Sequence, residues 1–101
     1  MIHRLHFGSD PIRKRVLEFL DECDDDLYAA IHEAFEEIKK HPRNEDVVKI
    51  KPPLKIFNGL AHYRYKGRSG KNGFRIFFDV DDGNKIVVLF GIRDRNERTY
   101  K

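Results

Sequence analysis

The period of the apolar residues changes midway along the chain, and this switch limits the folds open to it. Ile12, Val16, Phe19, Leu20 and Cys23 recur at spacings of three and four, and Leu27, Ile31, Ala34, Phe35 and Ile38 repeat the pattern. Such spacing puts one apolar stripe on each of two helices. From Tyr63 onward the alternation is two-fold, as in strands with one apolar face. Two striped helices and a set of half-apolar strands bury their apolar surfaces together when the helices lie on one face of a sheet.

The boundaries follow from local chemistry. Ser9-Asp10-Pro11 reads as a helix start, a capping side chain followed by a proline whose missing N–H is not needed there. Asp24-Asp25-Asp26 ends this helix and caps the next, with carboxylates at the positive helix terminus. Lys39 and Lys40 suit the far end, and Pro42 stops it. Residues 2–7 form a short opening strand, and Pro52-Pro53 marks an extended connection. Tyr63 and Tyr65 point one way, while Arg64, Lys66 and Arg68 point the other. In the next strand Phe74, Ile76, Phe78 and Val80 share a face, opposite Arg75, Phe77 and Asp79. Asp82-Gly83-Asn84 signals a hairpin turn, and Ile86, Val88, Phe90 and Ile92 line the last strand. The expected fold is α+β: an N-terminal helical hairpin packed on one face of a small antiparallel β-sheet, in a single domain over residues 1–101. The other sheet face is solvated and carries the cations.

Gathering like charges on one strand face is unfavourable unless something else favours it. The net charge of +3 hides an asymmetry: residues 1–46 carry a balance of −5 and residues 47–101 a balance of +8. A basic half of that strength favours an anionic partner, nucleic acid being the commonest; composition alone leaves a plain solubility charge equally open. No apolar run approaches membrane-spanning length and no signal-peptide pattern is present, so no membrane association is expected. The single cysteine, Cys23, forms no intrachain disulfide and suits a reducing cytoplasm; its place in a helical stripe makes it a small buried residue. The histidines His3, His6, His32, His41 and His62 are scattered without zinc-site spacing. DVDDGN (79–84) lacks the later bidentate acid of a calcium loop. GRSGKNG (67–73) lacks the ending of a P-loop and precedes a strand, so it reads as a flexible basic hairpin loop. No metal or cofactor is expected.

Leu54-Lys55 and Gly59-Leu60 precede the strand Tyr63-Arg64-Tyr65-Lys66. Gly73-Phe74-Arg75-Ile76-Phe77 follows, then the Asp-rich turn, the strand Ile86-Val87-Val88-Leu89, and arginines shortly before a tyrosine in residues 93–100. In this order and spacing the chain resembles the RelE branch of the RelE/ParE superfamily, the toxins of bacterial and archaeal type II toxin–antitoxin systems.

The resemblance implies a cytoplasmic mRNA endonuclease that inhibits translation, with mRNA, the ribosome and a cognate antitoxin protein as partners. Cleavage by in-line attack of a 2′-hydroxyl needs cations around the phosphate, a group to take the nucleophile's proton and another to protonate the leaving oxygen. By position Arg64 and Lys66 match two strand lysines of the RelE site, Arg75 the arginine that stabilises the transition state, and Tyr100 the tyrosine that orients the nucleophile or exchanges a proton. Arg64 is a departure, since arginine holds its proton too firmly to be a base, but it can clamp phosphate. Lys66 is the candidate base. Counting back from Tyr100 without a gap lands on Asp94; a one-residue shift selects Arg93 or Arg95, and the resemblance favours Arg95, because more members of the family space arginine and tyrosine that closely. Lys55, Arg68, Lys71, Arg93 and Arg98 complete the expected RNA-binding set. His62 shares the face of Arg64 and Lys66 and is a secondary acid or base. Two other readings stay open. One is a nucleic-acid-binding module or decayed toxin without catalysis, suggested by Arg64 and Asp94. The other is a ParE-like gyrase inhibitor, against which the basic strand and the terminal tyrosine argue.

Overall fold

Ser9 and Asp24 set the starts of the two helices. In the computed structural model, which describes residues 2–50 and 60–94, Ser9 Oγ accepts the Ile12 N–H at 3.3 Å and Pro11 lies in the first turn of α1 (Asp10–Glu22). Asp24 Oδ1 accepts the Leu27 N–H at 2.8 Å and opens α2 (Asp25–Lys40). Asp25 and Asp26 in its first turn and Lys39 and Lys40 in its last complement the helix dipole. All five apolar stripe residues of α2 are buried, as is Val16 of α1, while Ile12, Phe19, Leu20 and Cys23 pack partly buried against the same core.

The strands β1 (Arg4–Phe7), β2 (Val47–Lys49), β3 (Tyr63–Ser69), β4 (Asn72–Asp81) and β5 (Ile86–Asp94) form one sheet in the order β1-β5-β4-β3-β2. The last three are the expected antiparallel meander. β2 adds to it antiparallel to β3, and β1 pairs parallel with β5, the long connection between them carrying both helices and the strands β2 to β4. α1 packs on β5 and β1, and α2 on β3 and β1. Tyr65, Phe74, Ile76, Phe78, Val87, Leu89 and Ile92 meet the helical stripes in the main core. The architecture is α+β, with both helices on one face of the sheet. No helix among the described residues is long and apolar enough to cross a membrane.

Two features depart from simple alternation. Phe77 pairs with Gly91 but Phe78 with Leu89, so Phe90 is an extra residue in β5, a bulge. It resets the phase: Val87, Leu89 and Ile92 face the helices, whereas Phe90 joins Phe77 and Ala61 in a second apolar cluster, with Ile12, Ile50 and Val88 packed against it. Ile86, Val88, Phe90 and Ile92 therefore do not share one face. The face away from the helices is also not wholly solvated, since Phe77 on it is 0% exposed.

Residues 67–73, expected as a flexible loop, are mostly strand. Arg68 pairs with Gly73 and Ser69 with Asn72, leaving Gly70 and Lys71 as a two-residue turn. Gly70 has φ +59, as the first central position of a type II′ hairpin requires. Gly67 is a strand residue crossed by the Phe74 ring, which would lie 2.2 Å from a Cβ there. The turn between β4 and β5 falls where expected. Asp81 accepts from both the backbone and side-chain nitrogens of Asn84, and the left-handed position is taken by Lys85 at φ 55, not by Gly83.

Candidate nucleic-acid interface

The register of the three central strands puts Lys66 opposite Arg75, and Arg75 opposite Arg93. Three cations thus stand in one row across β3, β4 and β5, on strands about 4.8 Å apart. Like charges at directly opposed positions repel, and an anion bound over the row removes that repulsion. Arg64 lies on the same face one step along β3, opposite Phe77, and Arg68 lies on the other side of Lys66, opposite Gly73. The ladders fix the backbone spacing of these five residues, so their side chains start from set positions on the sheet before any ligand arrives. Lys66 and Arg68 are exposed, while Arg64, Arg75 and Arg93 are half-buried. Lys66, Arg68 and Arg75 line an open cleft of about 520 Å³ with Gly67, Gly73, Tyr65 and Phe74, and among the described residues Asp46 is the one acidic residue on its wall.

Polar contacts on the helix side hold this strand system in place. The Tyr65 hydroxyl donates to Glu37 Oε2 at 2.8 Å. Burial, reinforced by this bond, pushes the Tyr65 phenol far above its ordinary value, so it stays neutral and joins β3 to α2. Arg43, beyond the end of α2, donates from both terminal nitrogens to Asp82, at 3.1 and 2.8 Å, and from Nε to the Tyr63 hydroxyl at 3.2 Å. Its guanidinium also lies 5.2 Å from the Tyr63 ring centroid, so one side chain ties the helix end to β3 and to the β4–β5 turn.

Of the residues expected to act on RNA, Arg64, Lys66, Arg68, Arg75 and Arg93 come together on this face. Lys71 stands at the tip of the β3–β4 turn. Lys55, Arg95, Arg98 and Tyr100 lie outside the described residues. Asp94, reached by the gap-free count, pairs opposite Phe74, and its charge contributes to raising the Cys23 thiol, behind burial and Asp24; it faces the helices. Arg93 points the other way and completes the row. The sequence reading put Asp79 on this face but gave it no part in the site; it faces His62, whose Nδ1 is 3.4 Å from Asp79 Oδ2. Alternation along β4 places Asp79 on that face, and only the pairing of β3 with β4 shows that the two side chains meet.

No protein-family model matches the sequence, and no curated protein matches it. Solved structures do. The chain is similar to a chain of the archaeal RelE–RelB complex from Pyrococcus horikoshii, at TM-score 0.64 and 20% identity over 96% of this chain and 99% of that one. It is similar to a mutant of E. coli toxin RelE in the free state, at TM-score 0.60 and 18% identity over 99% and 92% of the two chains. It also matches a chain of the intact E. coli RelBE toxin–antitoxin complex, at TM-score 0.60 and 20% identity over 95% and 99%. Two helices on one face of a five-stranded sheet, matched over nearly the full length of these chains, give this protein the RelE-like toxin fold.

Proposed function

We propose that this protein is the toxin of a toxin–antitoxin pair, a single-domain endoribonuclease that cleaves mRNA on the ribosome and so inhibits translation. The observation that carries the proposal is the row Lys66–Arg75–Arg93, with Arg64 beside it, on the open face of a RelE-like fold. A phosphate gathers negative charge as it is attacked, and cations already fixed around it lower the barrier most. Arg75, in the middle of β4, stabilises that charge. Arg64 clamps the phosphate, Lys66 transfers a proton, and Arg95 and Tyr100 complete the site. Lys55, Arg68, Lys71, Arg93 and Arg98 hold the RNA backbone.

Two of the similar structures are RelE–RelB complexes, which supports an antitoxin as partner. Its acidic or amphipathic segment covers the cationic face and keeps RNA away. Expression of the chain alone in bacteria is expected to stop translation and growth, and co-expression with a small adjacent reading frame to restore both. The purified protein is expected to cut mRNA on programmed ribosomes. Normal growth together with RNA that is bound but uncut would favour the binding module instead.

A further inference from the structure

Arg64 leaves the proposed reaction without a base at its position, and His62, which immediately precedes β3 on the same face, is a titratable group that a second side chain already approaches. The His62 carbonyl accepts the Ile50 N–H at 2.8 Å, which continues the ladder beside β2 and keeps His62 in phase with Arg64 and Lys66. Same-face residues of a strand are about 6.5 Å apart, so the three stand in line with Arg64 in the middle. The His62 imidazole turns toward β4, where Nδ1 lies 3.4 Å from Asp79 Oδ2, slightly beyond hydrogen-bond length. Separations of this kind tighten when substrate binds. Asp79 Oδ1 is held by the Val80 N–H at 2.9 Å. His62 Nδ1 is enclosed although the side chain is 39% exposed, so the edge carrying Nε2 faces outward. Nδ1 makes no hydrogen bond at this separation; once the gap closes, a carboxylate at Nδ1 keeps the proton there and leaves the Nε2 lone pair available.

We infer that His62, positioned by Asp79, is the general base of RNA cleavage, acting across Arg64 from Lys66; the inference rests on the endoribonuclease reading above. With a phosphate on the Arg64 guanidinium, His62 and Lys66 flank it from opposite sides, as in-line displacement requires. His62 Nε2 takes the 2′-hydroxyl proton while the 2′-oxygen bonds to phosphorus. The bond from phosphorus to the 5′-oxygen breaks, and that oxygen takes a proton from the Lys66 ammonium. The products are a 2′,3′-cyclic phosphate and a 5′-hydroxyl. Solvent then removes the proton from His62 and returns one to Lys66, so no other reactant is consumed. Among the described residues, the charged groups on this part of the face are Asp79 and Asp81 on β4 and Arg64 on β3, with His6 and Arg4 further along the same rows on β1. The residues beside it at the end of β2 and on β5 are Ile50 and Val88.

The test is single-turnover cleavage of mRNA on programmed ribosomes across a pH series. For the wild-type chain the rate is expected to fall toward acid pH as the base is protonated. His62→Gln should lower the rate by roughly 10²- to 10⁴-fold, remove that acid limb and leave RNA affinity nearly unchanged. Added imidazole should restore part of the rate to His62→Ala, and Asp79→Asn should slow cleavage without weakening binding. Wild-type rate and an unchanged pH profile in His62→Gln would overturn the assignment while leaving the endoribonuclease reading intact. A wild-type chain that cuts no RNA would overturn both.

Discussion

Gly67 and Tyr65 occupy neighbouring same-sheet positions and are specified by different contacts. A Cβ at Gly67 would lie 2.2 Å from the Phe74 ring, which is itself held against Tyr65 and the core. Gly67→Ala is therefore expected to lower stability by about 1–3 kcal/mol, the cost of overpacking a rigid contact. An unchanged urea midpoint would show that the ring moves aside freely. Tyr65 makes a prediction about pH. Its folded-state value is raised above the ordinary 10.0 by burial and the Glu37 bond. The stabilisation it gives is complete below that ordinary value and is lost as pH rises beyond it, because the unfolded chain ionises first. Urea titrations at alkaline pH are expected to show wild type losing stability faster than Tyr65→Phe; parallel losses would contradict this. The orientation of the cations was legible at this scale, because strand alternation alone assigns Arg64, Lys66 and Arg75 to one face. The strand role of Gly67 was not, since its glycine requirement comes from a ring on the neighbouring strand.

At the scale of elements, the helices were the most legible part. Their starts depend on Ser9 and Asp24 and their buried faces on spacing, and all of these are local. β2 is three residues long, too short to show a period, and exists because the β3 edge offers it a partner. The β5 bulge was hidden for another reason: Val87, Val88, Leu89 and Phe90 are all apolar, so either phase fits the sequence. The β4–β5 turn carries two carboxyls whose ionised form the fold favours. Hydrogen bonds from Asn84 hold the Asp81 carboxyl below its ordinary 3.8, and Arg43 does the same for Asp82. Groups lowered in the folded state contribute stability above their ordinary value and lose it as pH falls through the folded one. Wild type is expected to lose stability more steeply than Asp82→Asn on acidification below about pH 4, by a small amount because the pair is exposed. Thermal melts across that range would reveal it, and identical acid profiles would mean that the Arg43–Asp82 bridge adds nothing.

Across the whole molecule, the sequence asymmetry becomes a spatial one. The acidic first half supplies both helices, and the basic second half supplies the three strands that carry the cationic row. The helix side and the cationic face thus differ in sign, an arrangement that would orient an approaching polyanion and make its binding salt-dependent. The charge division was readable from composition. The cross-strand row was not, because it requires the registers of β3 with β4 and β4 with β5 together. The row's purpose, catalysis as opposed to binding alone, is decided by comparing single-turnover cleavage rates and RNA affinities of two variants. Arg75→Ala is expected to slow cleavage by roughly 10²-fold or more, the effect of losing a preorganised donor, with a much smaller loss of affinity. Arg68→Ala combined with Lys71→Ala, at the hairpin end, should weaken binding in a salt-dependent way and nearly preserve the rate at saturation. Small and equal effects of both variants on the rate would mean that this face binds RNA without cutting it.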